Sequence, residues 1–139
     1  MTVRRARPGD MPAVMDIRRT VFIDEQSVPE TIERDMFDAT ALHLVALADG
    51  RPVGTARIVI GGGIGKIGRV AVLKPYRGTG LGRALIRLAM EESRLAGAHT
   101  AKLGAQTHAL GFYEALGFTA QGDEYLDAGI PHRDMTCPL

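Results

Sequence analysis

The feature that most constrains this chain is a predicted strand that runs directly into a glycine-rich turn. Residues 66–73 read as a buried strand, and Gly78, Gly80 and Gly82 follow it. The next apolar residues recur at the spacing of one helical face, namely Leu81, Ala84, Leu85 and Leu88. This spacing predicts an amphipathic helix whose first backbone amides have no acceptors within the helix. Those amides, the helix dipole and the missing side chains of the glycines predict a binding site for phosphate oxygens.

Two common phosphate-binding loops do not fit the spacing of this turn. A P-loop requires Gly-Lys-Ser/Thr, where this chain has Gly82-Arg83-Ala84. A dinucleotide fingerprint requires a glycine or alanine at the position of Arg83 and an acidic residue about 20 residues further on, where a helix is still finishing. The turn therefore belongs to another class of phosphate site.

A second motif, Phe-Tyr-Glu-Ala-Leu-Gly-Phe, lies further along the chain at residues 112–118. Together with Arg77-Gly-x-Gly-x-Gly, it resembles the GNAT N-acetyltransferase superfamily, whose glycine turn holds the pyrophosphate of acetyl-CoA. The wider pattern is similar to the ElaA-like branch of that superfamily. Three stretches carry this narrower resemblance, at residues 21–26, 103–109 and 129–135.

Length and composition predict one domain over residues 1–139. A chain of 139 residues has the usual size of a domain and can bury roughly two-thirds of its unfolded surface. The resemblance implies a fold of the α/β (α+β) class. Its central sheet is expected to be mixed and mostly antiparallel, with six to seven strands and about four flanking helices.

The residue pattern predicts the strands of such a sheet. They are expected over residues 3–6, 42–47, 52–60, 66–73 and 100–103, from residue 118 onward, and near the C-terminus. Asp49-Gly50 predicts a hairpin turn between two of these strands. The glycine cluster at residues 61–65 joins two strands rather than opening a helix, so it predicts a hairpin tip and not a phosphate site.

Helices are predicted in three places. The first begins at about Asp10, and its buried face is expected to contain Val14, Ile17 and Val21. The helix after the glycine turn is expected to end at Gly97. Thr107 is predicted to cap a further helix that ends at Gly117.

Composition argues against several function classes. The formal net charge is only +1, which argues against a nucleic-acid binder that works through a broad basic face. No apolar run approaches the roughly 18 residues that span a bilayer, and residues 1–5 lack the apolar segment of a signal peptide. We therefore expect a cytoplasmic protein without a membrane partner. The single cysteine, Cys137, is expected to be structural.

Charge is unevenly distributed along the chain. Residues 66–87 contain six basic residues and no acidic ones, whereas residues 24–38 contain six acidic residues and one arginine. Both segments can be ordinary solvated faces. The basic segment coincides with the glycine turn, where it would attract a phosphate-bearing ligand. The acidic segment would then suit a cationic amine substrate.

Acetyl transfer to an amine sets two requirements on the site. An alkylamine with a pKa of about 10.4 must lose a proton before it can attack, which costs about 4.6 kcal/mol at neutral pH. A leaving thiolate with a pKa of about 8.5 gains from a proton donor but does not require one. A phenol suits the second task. Tyr113 lies at the edge of the buried helix face, and the resemblance assigns it the role of general acid.

The resemblance also assigns the contacts to acetyl-CoA. They lie on the central strand, in the turn and around the second motif, at Val70, Ala71, Val72, Arg77, Gly78, Thr79, Gly80, Leu81, Gly82, Gln106 and Phe112. Backbone groups at Val70 and Val72 would meet the acetyl carbonyl and the pantetheine arm, where an amide stabilises developing oxyanion charge. Gln106 stands where many relatives have asparagine. Phe112 is expected to pack against the CoA arm.

The proton acceptor is the least constrained part of the site. Glu25 follows the first helix and could take the amine proton directly or through water. His108 and His132 could position the substrate or relay protons. Glu25 can equally be an exposed loop carboxylate, and a lone histidine is more often a structural residue. The cysteine, histidines and carboxylates lack the usual spacing of metal ligands, so no metal is expected.

These observations predict an acetyl-CoA-dependent N-acetyltransferase that acts directly on the primary amine of a small molecule or peptide. The alternative is a non-catalytic protein that binds acyl-CoA as a sensor or interaction module. The motifs leave the amine and the acyl length open. A homodimer is compatible with the sequence, because two-fold dimers are the commonest assemblies of small enzymes.

Overall fold

Seven strands form one mixed sheet in the computed structural model, which describes residues 1–33 and 35–139. The strands are β1 (Thr2–Arg5), β2 (Leu42–Ala48), β3 (Arg51–Gly61), β4 (Ile64–Val72), β5 (Thr100–Gln106), β6 (Thr119–Asp127) and β7 (Ile130–Pro138). The α-helices of this part of the chain are α1 (Met11–Arg18), α2 (Glu30–Glu33), α3 (Leu81–Leu95) and α4 (Leu110–Glu114). The strand order is β1-β2-β3-β4-β5-β7-β6, and β4 and β5 are the parallel pair. The predicted fold class is confirmed.

Tight hairpins join the strands where glycines were predicted to turn the chain. Asp49 and Gly50 have φ angles of 50° and 76° between β2 and β3. Gly62 and Gly63 have φ angles of 59° and 76° between β3 and β4. Two successive positive φ angles are typical of the turns that match the twist of a two-residue hairpin. The glycine cluster is therefore a hairpin tip, as predicted.

A β-bulge divides β4 into two halves. Thr55 of β3 pairs with Ala71, but Arg57 pairs with Gly68, so two residues of β4 lie opposite one residue of β3. One of these two, Arg69, has a φ of 49°. An extra residue in one strand reverses which side chains face each side of the sheet. The bulge thus changes the facing of β4 just before the glycine turn.

The strands β4 and β5 separate beyond the bulge. Their parallel pairing covers residues 64–66 and 100–102 in the described part of the chain. Further along, β4 continues to Val72 and β5 continues to Gln106. The two strands therefore leave a gap in the sheet at their carboxyl ends.

Helices cover the two faces of the sheet unequally. On one face, Leu85 and Ile86 of α3 are fully buried against Leu44, Ile58 and Ile67. Burial of each such side chain contributes roughly 1.5–3 kcal/mol. On the other face, a smaller cluster contains Ile17, Val21 and Ala71. Among the described residues, this second cluster contains no residue of β5, β6 or β7.

Two helix boundaries differ from the sequence prediction. The first helix does not end after α1 but continues as a π-helical segment over Arg19–Glu25, so Glu25 is helical and does not lie in a loop. Thr107 is not a cap, because a 3₁₀ turn already begins at Thr107 and runs to Ala109 before α4. Gln106 takes the cap position of this 3₁₀ turn, and Ala109 takes the cap position of α4.

The expected glycines follow the C-terminal ends of α3 and α4. Gly97 has a φ of 91° directly after α3, and Gly117 has a φ of 101° after α4, conformations that glycine adopts at little cost. Among the described residues, no helix is long and apolar enough to cross a membrane.

Candidate active site

An open cavity of about 700 Å³ crosses the sheet at the gap between β4 and β5. Its wall contains residues of the π-helical segment, α2, β4, β5 and β7. Small-molecule sites in proteins are typically clefts of about 300–1,000 Å³. The cavity is lined by several of the predicted site residues, namely Glu25, Val70, Ala71, Val72, Arg77, Gln106, His108, Tyr113 and His132.

The glycine turn leads from β4 to the N-terminus of α3. Gly78 and Gly80 have φ angles of 77° and 89°, which a residue with a side chain adopts only with strain. The first helical hydrogen bond runs from the Ala84 amide to the Gly80 carbonyl at 3.0 Å. The amides before Ala84 are therefore the free donors of the helix start.

The side chains of two turn residues are already engaged within the protein. The Thr79 hydroxyl donates to the Tyr76 carbonyl at 2.5 Å, and the Leu81 side chain is buried in the core. Their predicted cofactor contacts are thus limited to backbone groups. The turn offers a cradle of backbone amides, which is the kind of donor set that suits phosphate oxygens.

Gly82 and Phe112 form a close pair at the side of this cradle. A Cβ added at Gly82 would lie 3.7 Å from Cζ of Phe112, an ordinary van der Waals distance. Phe112 is 40% exposed, and its ring packs edge-on against Tyr113 with centroids 5.0 Å apart. An exposed aromatic ring beside the glycine turn agrees with the predicted packing of Phe112 along a ligand.

The backbone of β4 after the bulge points alternately toward β3 and toward the gap. The Leu73 amide donates to the Val53 carbonyl of β3 at 2.9 Å. Backbone groups alternate in direction along an extended strand, so the amide of Val72 points away from β3. Ala71 pairs with Thr55 of β3 and is buried. Val70 is one of the two bulged residues, and its amide contact with a ligand stays a prediction.

Arg77 links the turn to both Val72 and Glu25. Its Nε donates to the Val72 carbonyl at 2.8 Å, and its Nη2 donates to both carboxylate oxygens of Glu25, at 2.6 and 3.1 Å. The residue that was predicted to hold phosphate and the residue that was predicted to accept a proton thus form one ion pair. Glu25 is oriented toward the turn by this pair.

The acidic segment does not present a free negative surface. Glu33, Asp35 and Asp38 bind three arginines of the same chain, Arg18, Arg57 and Arg69. Glu25 and Glu30 are paired with Arg77 and Arg19. The predicted role of this segment in attracting a cationic amine is wrong for these carboxylates, because arginines already neutralise them.

Tyr113 extends into the cavity with its hydroxyl free of partners among residues 1–33 and 35–139. A structural tyrosine of the core would donate to a neighbour, so this geometry favours a role toward a ligand. Burial raises the pKa of Tyr113 to about 12. The phenol therefore stays protonated near neutral pH and is available as a proton donor.

Gln106 lies at the end of β5 in a chain of hydrogen bonds. Its Nε2 donates to Gln26 Oε1 at 3.0 Å, and its Oε1 accepts from His108 Nε2 at 2.7 Å. This chain connects the segment after the π-helical residues with the 3₁₀ turn before α4. His108 is exposed and serves here to orient Gln106.

His132 is held in a defined orientation on β7. Its Nδ1 donates to the Ile130 carbonyl at 2.7 Å, which leaves Nε2 as the acceptor of the neutral ring. The ring stacks on Tyr125 with centroids 5.9 Å apart and an interplanar angle of 21°. His132 is 9% exposed and lines the cavity. It is the histidine whose geometry suits proton transfer.

The sequence analysis missed many of the cavity residues, among them Lys66, Lys102, Tyr125 and Asp134. The Tyr125 hydroxyl donates to Asp134 at 2.7 Å, and a Cβ added at Gly104 would lie 2.5 Å from that hydroxyl. The alternation of side chains along each strand indicated only that such residues share one face of the sheet. The order β5-β7-β6, which brings them together, has no local signal.

Two further sequence predictions concern cysteine and metals. Cys137 is buried on β7, beside Gly117, as expected of a structural thiol. In the part of the chain that the structure describes, the histidines, cysteine and carboxylates form no group of three that could hold a metal ion.

The sheet opens between β4 and β5 beside a glycine turn, and a cavity lies at this gap. Comparison with known proteins places this arrangement in the acyltransferase class. The chain matches the family model of the acetyltransferase (GNAT) domain over residues 10–139. It is 37% identical to the uncharacterized N-acetyltransferase YjcF of Bacillus subtilis, over 86% of each chain.

Two solved structures extend the match to three dimensions. One is an acyl-CoA N-acyltransferase from Pseudomonas aeruginosa, with 30% identity, a TM-score of 0.85 and coverage of 98% of this chain and 97% of the other. The second is Escherichia coli ElaA, with 26% identity, a TM-score of 0.86 and coverage of 98% of each chain. The chain belongs to the GNAT acetyltransferase family.

Proposed function

We propose that this protein is an acetyl-CoA-dependent N-acetyltransferase that transfers the acetyl group directly to the primary amine of a small molecule or peptide. The observation that carries the proposal is the placing of Val70, Val72 and the free hydroxyl of Tyr113 around one cavity. Arg77, the first residue of the glycine-turn motif, lines the same cavity, and Gly78 and Gly80 with their positive φ angles follow it. The similarity to the Pseudomonas aeruginosa acyl-CoA N-acyltransferase supports the same reaction class.

The described residues fit acetyl-CoA along its length. The cradle of amides after Gly80 suits the pyrophosphate, and the space at Gly82 is open apart from the Phe112 ring. Val70 and Val72 offer amides to the pantetheine arm and the acetyl oxygen. Acetyl-CoA supplies an acetyl thioester whose carbonyl oxygen gains negative charge during attack by an amine. A fixed backbone amide stabilises such charge by several kcal/mol.

Tyr113 holds the proton that the leaving thiolate would take. Its raised pKa of about 12 means that the donor is protonated at every physiological pH. The two aromatic neighbours Phe112 and Phe118 contact its ring edge-on and fix its direction. Tyr113 is therefore the general acid of the proposed reaction.

The amine proton requires an acceptor, for which the site offers Glu25 and His132. Both oxygens of Glu25 accept from Arg77, whereas the bond of Nδ1 to Ile130 leaves Nε2 as the acceptor atom of His132, a residue that lines the cavity. This geometry favours His132 as the acceptor and gives Glu25 the task of positioning Arg77. No covalent enzyme intermediate is required, because Cys137 is buried and does not line the cavity.

Calorimetric titration with acetyl-CoA tests the cofactor. The variant Gly82→Leu places a side chain in the open space of the cradle without a positive φ, whereas Gly80→Ala strains a residue at φ 89°. We expect binding by the unchanged protein, at least a tenfold loss in Gly82→Leu by steric exclusion, and an unchanged melting temperature for that variant. Failure of the unchanged protein to bind acetyl-CoA would overturn the proposal.

Release of CoA in the presence of an amine panel then tests the reaction. Turnover that depends on both acetyl-CoA and an amine is the expected result. Tight binding without turnover for any amine, together with unchanged behaviour of Tyr113→Phe, would instead identify a non-catalytic acyl-CoA sensor.

A further inference from the structure

One end of the cavity is formed by two lysines that are direct neighbours on β4 and β5. Lys66 pairs with Lys102 in the parallel register, and both side chains line the cavity. The chain contains only three lysines, so this pairing concentrates most of them at one place. Like charges directly opposite each other on adjacent strands destabilise a sheet. An anion bound between the two ammonium groups would remove this repulsion.

The acidic residues nearby leave this end of the cavity positive. Asp134 lies 3.8 Å from Nζ of Lys102, but the same carboxylate also accepts the Tyr125 hydroxyl at 2.7 Å. Lys66 forms no ion pair with residues 1–33 or 35–139. The carboxylates of Glu33 and Asp35, at the cavity rim, are already bound by arginines. The charge of Lys66 is therefore uncompensated within the described part of the chain.

A third cation, Arg57 of β3, also lines the cavity. Arg57 is 8% exposed and lies opposite Gly68 of β4. Its Nη1 donates to Asp35 at 2.6 Å and to Asp38 at 3.1 Å, but its Nε is buried without a partner among the described residues. A buried donor without an acceptor is costly. An anionic oxygen in the cavity is the kind of group that would satisfy it.

The cavity floor beside Lys66 has space over Gly68 of β4, where an added Cβ would meet nothing within 4 Å. Over Gly104 of β5, the corresponding space is taken by the Tyr125 hydroxyl, 2.5 Å from an added Cβ. His132 pairs with Gln106, which is four residues beyond Lys102 along β5, or about 13 Å at a rise of about 3.3 Å per residue. The lysine pair therefore marks a positive end of the cavity. His132 marks the end where the amine proton would be transferred, about one ligand length away.

We propose that the acceptor amine also carries an anionic oxygen group, a carboxylate or a phosphate, which binds at Lys66 and Lys102 while the amine lies toward His132 and Tyr113. This inference rests on the proposed N-acetyltransferase function and names its substrate class. It replaces the expectation of a simple cationic amine, because the positive end of the cavity would repel a second ammonium group and attract an acid.

Matched acceptors test the anionic group directly. Aminocaproate is compared with aminocaproamide, and aminopropyl phosphate with aminopropanol, so that each pair differs mainly in the acid. We expect kcat/KM to be at least tenfold higher for the acidic member of the pair that fits, since a charge-assisted contact is worth about 1.5–3 kcal/mol. The two pairs separate a carboxylate acceptor from a phosphate acceptor. Equal or lower kcat/KM for both acids would overturn the proposal.

Charge variants locate the preference at the lysine pair. The double variant Lys66→Gln with Lys102→Gln should lose at least tenfold in kcat/KM for the acid and little for its neutral partner. The double arginine variant at the same positions keeps the charge and should keep the preference. Arg51→Gln, at the exposed β2–β3 hairpin, is the control for general loss of positive charge. An equal loss for acid and neutral acceptor in the glutamine variant would contradict the assignment.

Binding measured without turnover separates this inference from the proposed function. Ligand-observed NMR reports whether aminocaproate or aminopropyl phosphate binds the unchanged protein and the two double variants. Binding that is lost with glutamine and retained with arginine supports the subsite even if no CoA is released, in which case the transferase proposal alone fails. Absence of binding by both acids, or binding unaffected by the glutamine changes, overturns the subsite.

Discussion

Nη2 of Arg77 lies 2.6 Å from Oε2 of Glu25, and Nε of the same guanidinium donates to the Val72 carbonyl at 2.8 Å. One side chain thus joins the end of the π-helical segment, the bulged half of β4 and the glycine turn. The π-helical segment is thereby fixed at the cavity to β4 and the turn, which lie far from it in sequence. Because the pair engages both oxygens of Glu25, we expect that carboxylate to position Arg77 and not to accept the amine proton.

The two candidate acceptors are distinguished by Glu25→Gln and His132→Gln. We expect His132→Gln to lower kcat by roughly 10²- to 10⁴-fold, the usual contribution of a general base. Glu25→Gln weakens a half-exposed ion pair worth about 1 kcal/mol or less, so kcat should fall less than tenfold. Steady-state kinetics with a saturating amine measures both. A larger loss of kcat in Glu25→Gln than in His132→Gln would reverse the assignment.

Tyr113→Phe removes the proposed proton donor while it keeps the aromatic ring. We expect kcat to fall by roughly 10²- to 10⁴-fold with unchanged affinity for acetyl-CoA. Since the pKa of Tyr113 is raised to about 12, the activity of the unchanged enzyme should not decline through loss of this proton below that pH. Tyr76→Phe, in the turn before α3, is the matched control. Full activity of Tyr113→Phe would exclude the general acid role.

Arg18 and Arg19 are neighbours that should differ greatly in their contribution to stability. Arg18 is 1% exposed and binds Glu33, which is 2% exposed, and Asp38 at 2.7 Å. Arg18→Leu leaves a buried carboxylate without its partner and should cost about 3–5 kcal/mol. Arg19→Leu breaks an exposed pair with Glu30 and should cost about 1 kcal/mol or less. Chemical denaturation of both variants is the measurement, and similar losses would contradict the buried network.

Acid stability should depend on Asp38. Burial alone would raise the pKa of Asp38, but the hydrogen bond and charge of Arg18, with smaller contributions from Arg57, lower it from 3.8 to about 2. The folded state therefore prefers the ionised carboxylate. This stabilisation is complete above pH 4 and is lost as the pH falls toward 2.

The variant Asp38→Asn checks this linkage. Its free energy of unfolding should be lower near neutral pH and should depend less on pH between about 4 and 2. Part of the dependence will remain, because a hydrogen bond from Arg4 also lowers the pKa of Asp10 to about 2. Asp16→Asn, at an exposed position of α1, serves as the control. An unchanged slope in Asp38→Asn would argue against the linkage.

Local features of this protein could be predicted from the sequence because single residues or short spacings decide them. The positive φ angles at Gly80, Gly97 and Asp49-Gly50 follow from steric freedom at those residues. The helix after the turn follows from its apolar spacing. The family resemblance added the mixed, mostly antiparallel sheet and the general-acid role of Tyr113, which no local rule provides.

Other features depended on contacts between distant segments. Arg69 reaches the Glu33 carbonyl at 3.0 Å across 36 residues, so the basic and acidic segments, which looked like separate surfaces, are in contact. Arg69 and Arg77 of the basic segment pair with Asp35 and Glu25 of the acidic one. The bulge at Arg69 decides which β4 side chains face the cavity, and a strand pattern without that extra residue assigns them to the wrong side.

By itself, the sequence determined the glycine turn, the helix that follows it and the family to which the chain belongs, because these depend on backbone sterics and short-range spacing. The tertiary structure alone decided which charges remain free. Sheet order and register bring Lys66 beside Lys102 and His132 beside Tyr125, while the arginines of distant elements neutralise the acidic segment. Electrostatic complementarity to a substrate is a property of these long-range pairings.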